Sequence, residues 1–161
     1  MNLSSNQIVA LTIKAARGAG FPLAQAEMFA SATAQHLIQS RAVGDLSQAL
    51  IHTPDSPVLE FPCMLDDLCL RSSLSLSNIR LPDLLRSYAE TAAFEVKCIQ
   101  AGKTLLLKYM SDRPSLASPT ARVPMDPVLW AHLNKLAAKT YVPASEESRL
   151  SGAGAGLSDN D

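Results

Sequence analysis

Three histidines, His36, His52 and His132, are the side chains here that titrate near neutral pH and could move protons or hold a metal. They stand far apart, and none falls in an H-x-x-x-H or H-E-x-x-H pairing. The spacing therefore names no metal site, and a surface or hydrogen-bonded role accounts for each histidine. Cys63, Cys69 and Cys98 form no Cys-x-x-Cys and are odd in number, so they read as reduced thiols. Cys98 sits in an apolar alternation and Cys69 between Leu68 and Leu70, which predicts buried, inert sulfurs rather than nucleophiles.

Asp66-Asp67 and Glu146-Glu147 are adjacent carboxylates. Neighbours on a helix point about 100° apart, so adjacency builds no shared proton site. The first pair is expected to solvate a helix face, and the second to favour the dipole of a first turn. The run Gly152-Ala153-Gly154-Ala155-Gly156 invites comparison with a phosphate loop, but Leu157 stands where G-x-G-x-x-G needs its third glycine and no Walker lysine follows. Gly18-Ala19-Gly20 leads into a helix near Pro22 and could present amides to an anion, although a turn between helices explains the same glycines. No catalytic residue is assigned. The ligand-binding candidates are His132, Tyr141 and Arg149, gathered around the C-terminal helix and its exit, together with Lys14 and Arg17. Arg149 also has a plain structural reading, pairing with Glu146 or Glu147 along a helix, worth about half a kcal/mol when exposed.

The elements that must position these residues follow from local signals. Ser4-Ser5-Asn6-Gln7 matches a capping box and opens a helix with the stripe Ile8, Leu11, Thr12 and Ala15, ended by Gly18 and Gly20. A second helix begins near Pro22, with Ala26, Phe29, Thr33 and Leu37 on one face and Ala24, Ala30, Ala32 and Ala34 keeping the rest small. The two are expected to form a tight antiparallel hairpin. Asp45 could cap a short third helix through Leu46, Ala49 and Leu50. Thr53 to Pro57 reads as a loop, Pro62 as the start of a helix with Leu65, Leu68 and Cys69 inward, and Pro82 as the start of another through Leu84, Leu85, Tyr88 and Ala92. Ser72 to Asn78 is either a short strand or a loop.

Phe94, Val96 and Cys98 alternate with Glu95 and Lys97, and Leu105, Leu107 and Tyr109 alternate with Leu106 and Lys108 beyond a Gly-containing link, which predicts a β-hairpin. A lone hairpin is marginal, and Thr120 to Val123 is the expected third strand, reached through an exposed Ser- and Pro-rich link from Ser111 to Pro119. Asp126 and Pro127 open the C-terminal helix, with Leu129, Leu133, Leu136 and Ala137 as its stripe, and Pro143 closes it. Ser145 to Gly152 reads as one further helical turn.

The chain has 161 residues with 47% hydrophobic and 18% charged, which suits one domain with a sizeable core. The net charge is −1 and the cations are spread singly, so nucleic-acid binding is disfavoured. No secretory signal opens the sequence and no apolar run approaches the roughly 18 residues of a membrane span, so a cytoplasmic protein with no membrane contact is expected. The expected architecture is α+β and mainly helical: an N-terminal helical hairpin, a β-hairpin or small antiparallel sheet, and a long C-terminal helix in one domain over 1–151, with a flexible Gly-Ala-rich acidic tail over 152–161.

The segments Lys14-Ala15-Ala16-Arg17-Gly18-Ala19-Gly20 and Thr140-Tyr141-Val142-Pro143-Ala144-Ser145-Glu146-Glu147-Ser148-Arg149-Leu150-Ser151-Gly152-Ala153-Gly154-Ala155-Gly156 resemble an uncharacterised bacterial family known only as a domain of unknown function. The resemblance implies that the tail belongs to the protein, and it implies no activity, cofactor or site residue. Low charge, the alanine-rich second helix and the tail together favour a non-catalytic interaction or assembly module of the bacterial cytoplasm, with a protein partner or a homo-oligomer and no cofactor. The alternative is a small-molecule-binding protein or small enzyme with its site near the C-terminal helix.

Overall fold

The computed structural model describes residues 1–112 and 122–140. Within them the fold is α+β and mainly helical. A short strand β1 (Asn2–Ser4) runs into α1 (Ser5–Gly18), and the capping box forms as its sequence requires. The Gln7 amide donates to Ser4 Oγ, and the Ser4 amide donates to Gln7 Oε1. Two donors that a helix start leaves orphaned are thereby satisfied. After the turn at Gly20, whose φ of 102° suits glycine, α2 (Leu23–Ile38) folds back along α1.

The alanines of α2 do not simply keep its outer surface small. Ala30, Ala32 and Ala34 are buried along with Phe29 and Thr33, and only Ala24 stays exposed. The helix is central: α1 packs on one side of it, and α4 (Pro57–Arg71) and α5 (Pro82–Thr91) pack on the other. Between α2 and α4 lies the short α3 (Val43–Ala49), whose N-cap is Ala42, so Asp45 sits in the first turn rather than at the cap. Helix α4 opens at Pro57, not Pro62. Ser56 Oγ accepts from the Val58 amide, Pro57 takes the first helical position, and Pro62 is carried inside the helix. Of the expected inward set, Leu65 and Leu68 are buried but Cys69 is exposed, because α4 turns only one stripe to the core.

Ser72 takes a left-handed conformation (φ 62°) that ends α4, and Ser73–Ser77 is a strand, β2. It pairs antiparallel with β4 (Thr104–Asp112), which pairs on its other side with β3 (Phe94–Ala101), giving the order β2-β4-β3. The β3–β4 hairpin turns at Gly102, whose φ is 57°. The third strand is therefore β2 and not the segment ending at Val123. Residues Arg122–Pro124 instead form β5, which pairs with β1 in a separate two-stranded ribbon, Leu3 opposite Val123. Most of the expected Ser111 to Pro119 link lies outside the described residues, but Ser111 and Asp112 extend β4.

Asp126 caps α6 (Pro127–Ala137) by accepting from the Leu129 amide, and a 3₁₀ turn over Ala138–Thr140 follows. Leu129, Leu133 and Ala137 are buried and Leu136 is partly so. The layers run from the sheet through α4 and α5 to α2, then α1, then α6. Helix α6 comes very close to α1: a Cβ at Gly18 would overlap the carbonyl oxygen of Leu136. The segment from Tyr141 onward, with its expected turn and tail, lies outside the described residues.

Candidate functional site

Two places gather polar side chains. The first joins α2 to α5 deep in the fold. His36 and Ser87 are fully buried. The imidazole Nε2 lies 2.9 Å from the Ala42 carbonyl, which can only accept, so Nε2 carries a proton. Nδ1 lies 3.0 Å from Ser87 Oγ. A serine, a histidine and an orienting carbonyl in line have the form of an activated nucleophile. The remaining partners rule out that role. Ser87 Oγ also accepts from Arg41 Nη1 at 2.7 Å and lies 2.9 Å from the Asp83 carbonyl. Its single proton is shared between two acceptors, His36 Nδ1 and the Asp83 carbonyl, one lone pair is taken by Arg41, and it has no exposed surface for a substrate to reach.

Arg41 completes this cluster with a two-pronged pair to Glu90, whose Oε2 also accepts from Gln35 Nε2 at 2.9 Å. Burial alone would raise the Glu90 carboxyl. Hydrogen bonds from Arg41 and Gln35 and the charges of Arg41 and Arg86 outweigh it and hold the carboxyl below its usual range. The cluster ties α2, the turn after it and α5 together, which is a structural task.

The second place is the groove between α1 and α6. The two helices lie side by side with their C-termini at one end. Toward that end a hollow of about 380 Å³ is lined by Ile13, Lys14, Arg17, Gly18, Lys139 and Thr140. It meets a second hollow of about 360 Å³ at Lys14, walled by Leu3, Leu11 and the half-buried Trp130 among others. The groove thus grades from basic to apolar. Helices α1 and α6 and the 3₁₀ turn carry Lys14, Arg17, Lys135 and Lys139 and not one carboxylate. Arg17 donates to the Phe21 carbonyl at 3.2 Å. The described ion pairs belong to Arg41, Arg71, Arg80 and Arg86, so Lys14, Lys135 and Lys139 pair with no carboxylate among the described residues. Part of this charge answers the helix dipoles. Two C-termini present roughly one negative charge in total, against four cations. An excess of positive potential remains at the basic end.

The structure thus brings together Lys14 and Arg17 from the expected ligand-binding set. His132 lies elsewhere: it follows Trp130 by two positions, about 200° around the helix, and turns away from the groove. Tyr141 and Arg149 lie outside the described residues. Lys139 and Trp130 were missed by the sequence reading, because lysine in a last turn has a full explanation in the dipole and tryptophan beside a stripe reads as core.

The Gly18-Ala19-Gly20 turn is no anion cradle. The amides of Ala19, Gly20 and Phe21 donate to carbonyls of Ala15, Ala16 and Arg17, so none is free for a ligand. Cys69 is exposed, with its thiol pushed up by desolvation and by the Asp66 and Asp112 carboxylates. Cys98 is half-buried rather than core, and burial raises its thiol too. Neither is activated as a nucleophile. Among the described residues no group of histidine, cysteine and carboxylate is placed to hold a metal, and no helix is long and apolar enough to cross a membrane.

No family model, curated protein or solved structure matches this chain.

Proposed function

We propose that this chain is a non-catalytic interaction module that takes an acidic, partly apolar segment of a partner protein along the α1–α6 groove. The observation that supports it is the grading of one groove from Lys14, Arg17 and Lys139 to Leu3, Leu11 and Trp130, with no carboxylate on its walls. Carboxylates would meet the basic end and an apolar side chain would cover the indole. A nucleic acid would draw on a wider basic face than these three cations supply. The His36–Ser87 cluster supports the non-catalytic part, because it is saturated and closed.

Trp130 is the only tryptophan, so its emission reports on the groove directly. The test titrates the protein with a blocked peptide bearing two adjacent glutamates and a leucine three residues on. Saturable change in the emission, weakened by salt and absent when glutamines replace the glutamates, is the expected result. An unchanged spectrum at millimolar peptide sinks the reading.

A second reading is a small anionic ligand in the basic hollow alone, whose volume of about 380 Å³ is ligand-sized. Citrate or inorganic phosphate raising the melting temperature without moving the Trp130 emission would favour it over a peptide. Self-association of the chain is a further form of the assembly reading, and light scattering at tens of micromolar decides it.

A further inference from the structure

We propose that residues 141–161 of this chain occupy the α1–α6 groove in cis and so compete with an external acidic segment. This rests on the reading of the groove given above and adds its regulation. Thr140, the last residue before the segment, itself lines the basic hollow, so the segment sets out from the rim of the site. Charge is divided to match. Thirteen of the fourteen basic residues and eleven of the fifteen acidic ones fall within residues 1–140, leaving +2 there against −3 beyond.

The chemistry within the segment follows the order the groove asks for. Glu146 and Glu147 come six and seven residues past Thr140, and Leu150 three residues later. Along α1 the groove runs from Arg17 to Gln7, about 15 Å at 1.5 Å per helical residue. Glu146 to Leu150 in extended form covers about 14 Å at roughly 3.4 Å per residue. The five residues between, 141–145, give about 17 Å of chain in which to turn back. The order then matches the groove: two carboxylates to set against Lys14, Arg17 and Lys139, and an apolar residue one groove-length on for Trp130. A short tether holds its own ligand at an effective concentration of about a millimolar or more. A contact with a dissociation constant of about 0.1 mM is then occupied about nine-tenths of the time.

The test uses the full chain and a variant with Glu146→Gln, Glu147→Gln, Asp159→Asn and Asp161→Asn. The diglutamate peptide is titrated into each by Trp130 emission, with equal denaturation midpoints showing both are folded. The expected result is about tenfold tighter binding by the variant at low salt, narrowing at 0.5 M salt, from relief of a millimolar tethered competitor. A synthetic peptide of residues 141–161 should displace the probe from the variant. Equal affinity of the two chains overturns the cis contact and leaves the groove reading standing. No binding to either chain overturns both. An affinity difference that grows with protein concentration places the segment on a neighbouring copy and overturns the cis contact.

Discussion

The α2–α5 cluster and the α1–α6 groove use similar residues to opposite ends. In the cluster a guanidinium, a carboxylate, an imidazole and a hydroxyl meet and satisfy one another. In the groove three cations, Lys14, Arg17 and Lys139, gather and form no ion pair with a carboxylate among the described residues. Removing water from a charge is costly unless a partner is supplied, so the buried site carries its partners with it. The groove stays wet and can leave its charges open to something else. A catalytic-looking serine and histidine therefore mark structure here, and ordinary lysines mark the surface to which we assign function.

That contrast can be broken at several points, the largest first. Arg41→Ala removes the cation that Glu90 and Ser87 share and strips its stem from the core. A loss of about 3 kcal/mol in denaturant unfolding is expected, since a part-buried carboxylate loses the cation paired with it and Ser87 loses a donor. A loss under half a kcal/mol would show the cluster to be ornamental. Gly18→Ala forces a methyl group against the Leu136 carbonyl, which is backbone and cannot rotate aside. Alanine gains about 1 kcal/mol of helix propensity, but overpacking costs about 3, for a net loss near 2 kcal/mol and a shifted Trp130 emission as α6 moves. A neutral substitution would mean that α6 is free to slide and that the groove has no fixed width.

Glu90 gives the cluster a pH signature. Its folded carboxyl lies below the ordinary value of 4.5, so its stabilising contribution is present above that value and drains away as pH falls through the folded one. Glu90→Gln should cost about 1 kcal/mol or less at pH 7, because the pair is partly screened by water, with the gap to the parent protein shrinking below pH 4.5. A gap constant from pH 7 to pH 3 would contradict the ion pair. By contrast, Lys14→Ala and Lys139→Ala should each leave stability within about half a kcal/mol, because neither side chain supports the fold.

Where the signal was local, the sequence was legible. Ser4 and Gln7 cap α1 and Asp126 and Pro127 open α6 because the bonds involved span three residues. The β3–β4 hairpin was legible for the same reason, through alternation and a glycine turn. Partnerships across the chain were not. Arg41 and Glu90 are 49 positions apart. The choice of β2 over the Val123 segment as partner of β4 depends on where α4 delivers the chain, which no spacing encodes. Pro57 and Pro62 both suit a helix start, and only the Ser56 cap separates them. The groove was half visible: Lys14 and Arg17 stood out as cations, but Trp130 and Lys139 joined them only once Gly18 let α6 come close.

The most direct measurement titrates the diglutamate peptide into Lys14→Glu/Lys139→Glu and into the parent protein, following Trp130 and checking both by denaturant midpoint. The account expects two folded chains, the reversed one less stable by about 1 to 2 kcal/mol because carboxylates oppose the dipoles of two helix C-termini, and at least tenfold weaker binding by it, since two attractions become two repulsions. Unchanged binding by a fully folded variant would contradict it.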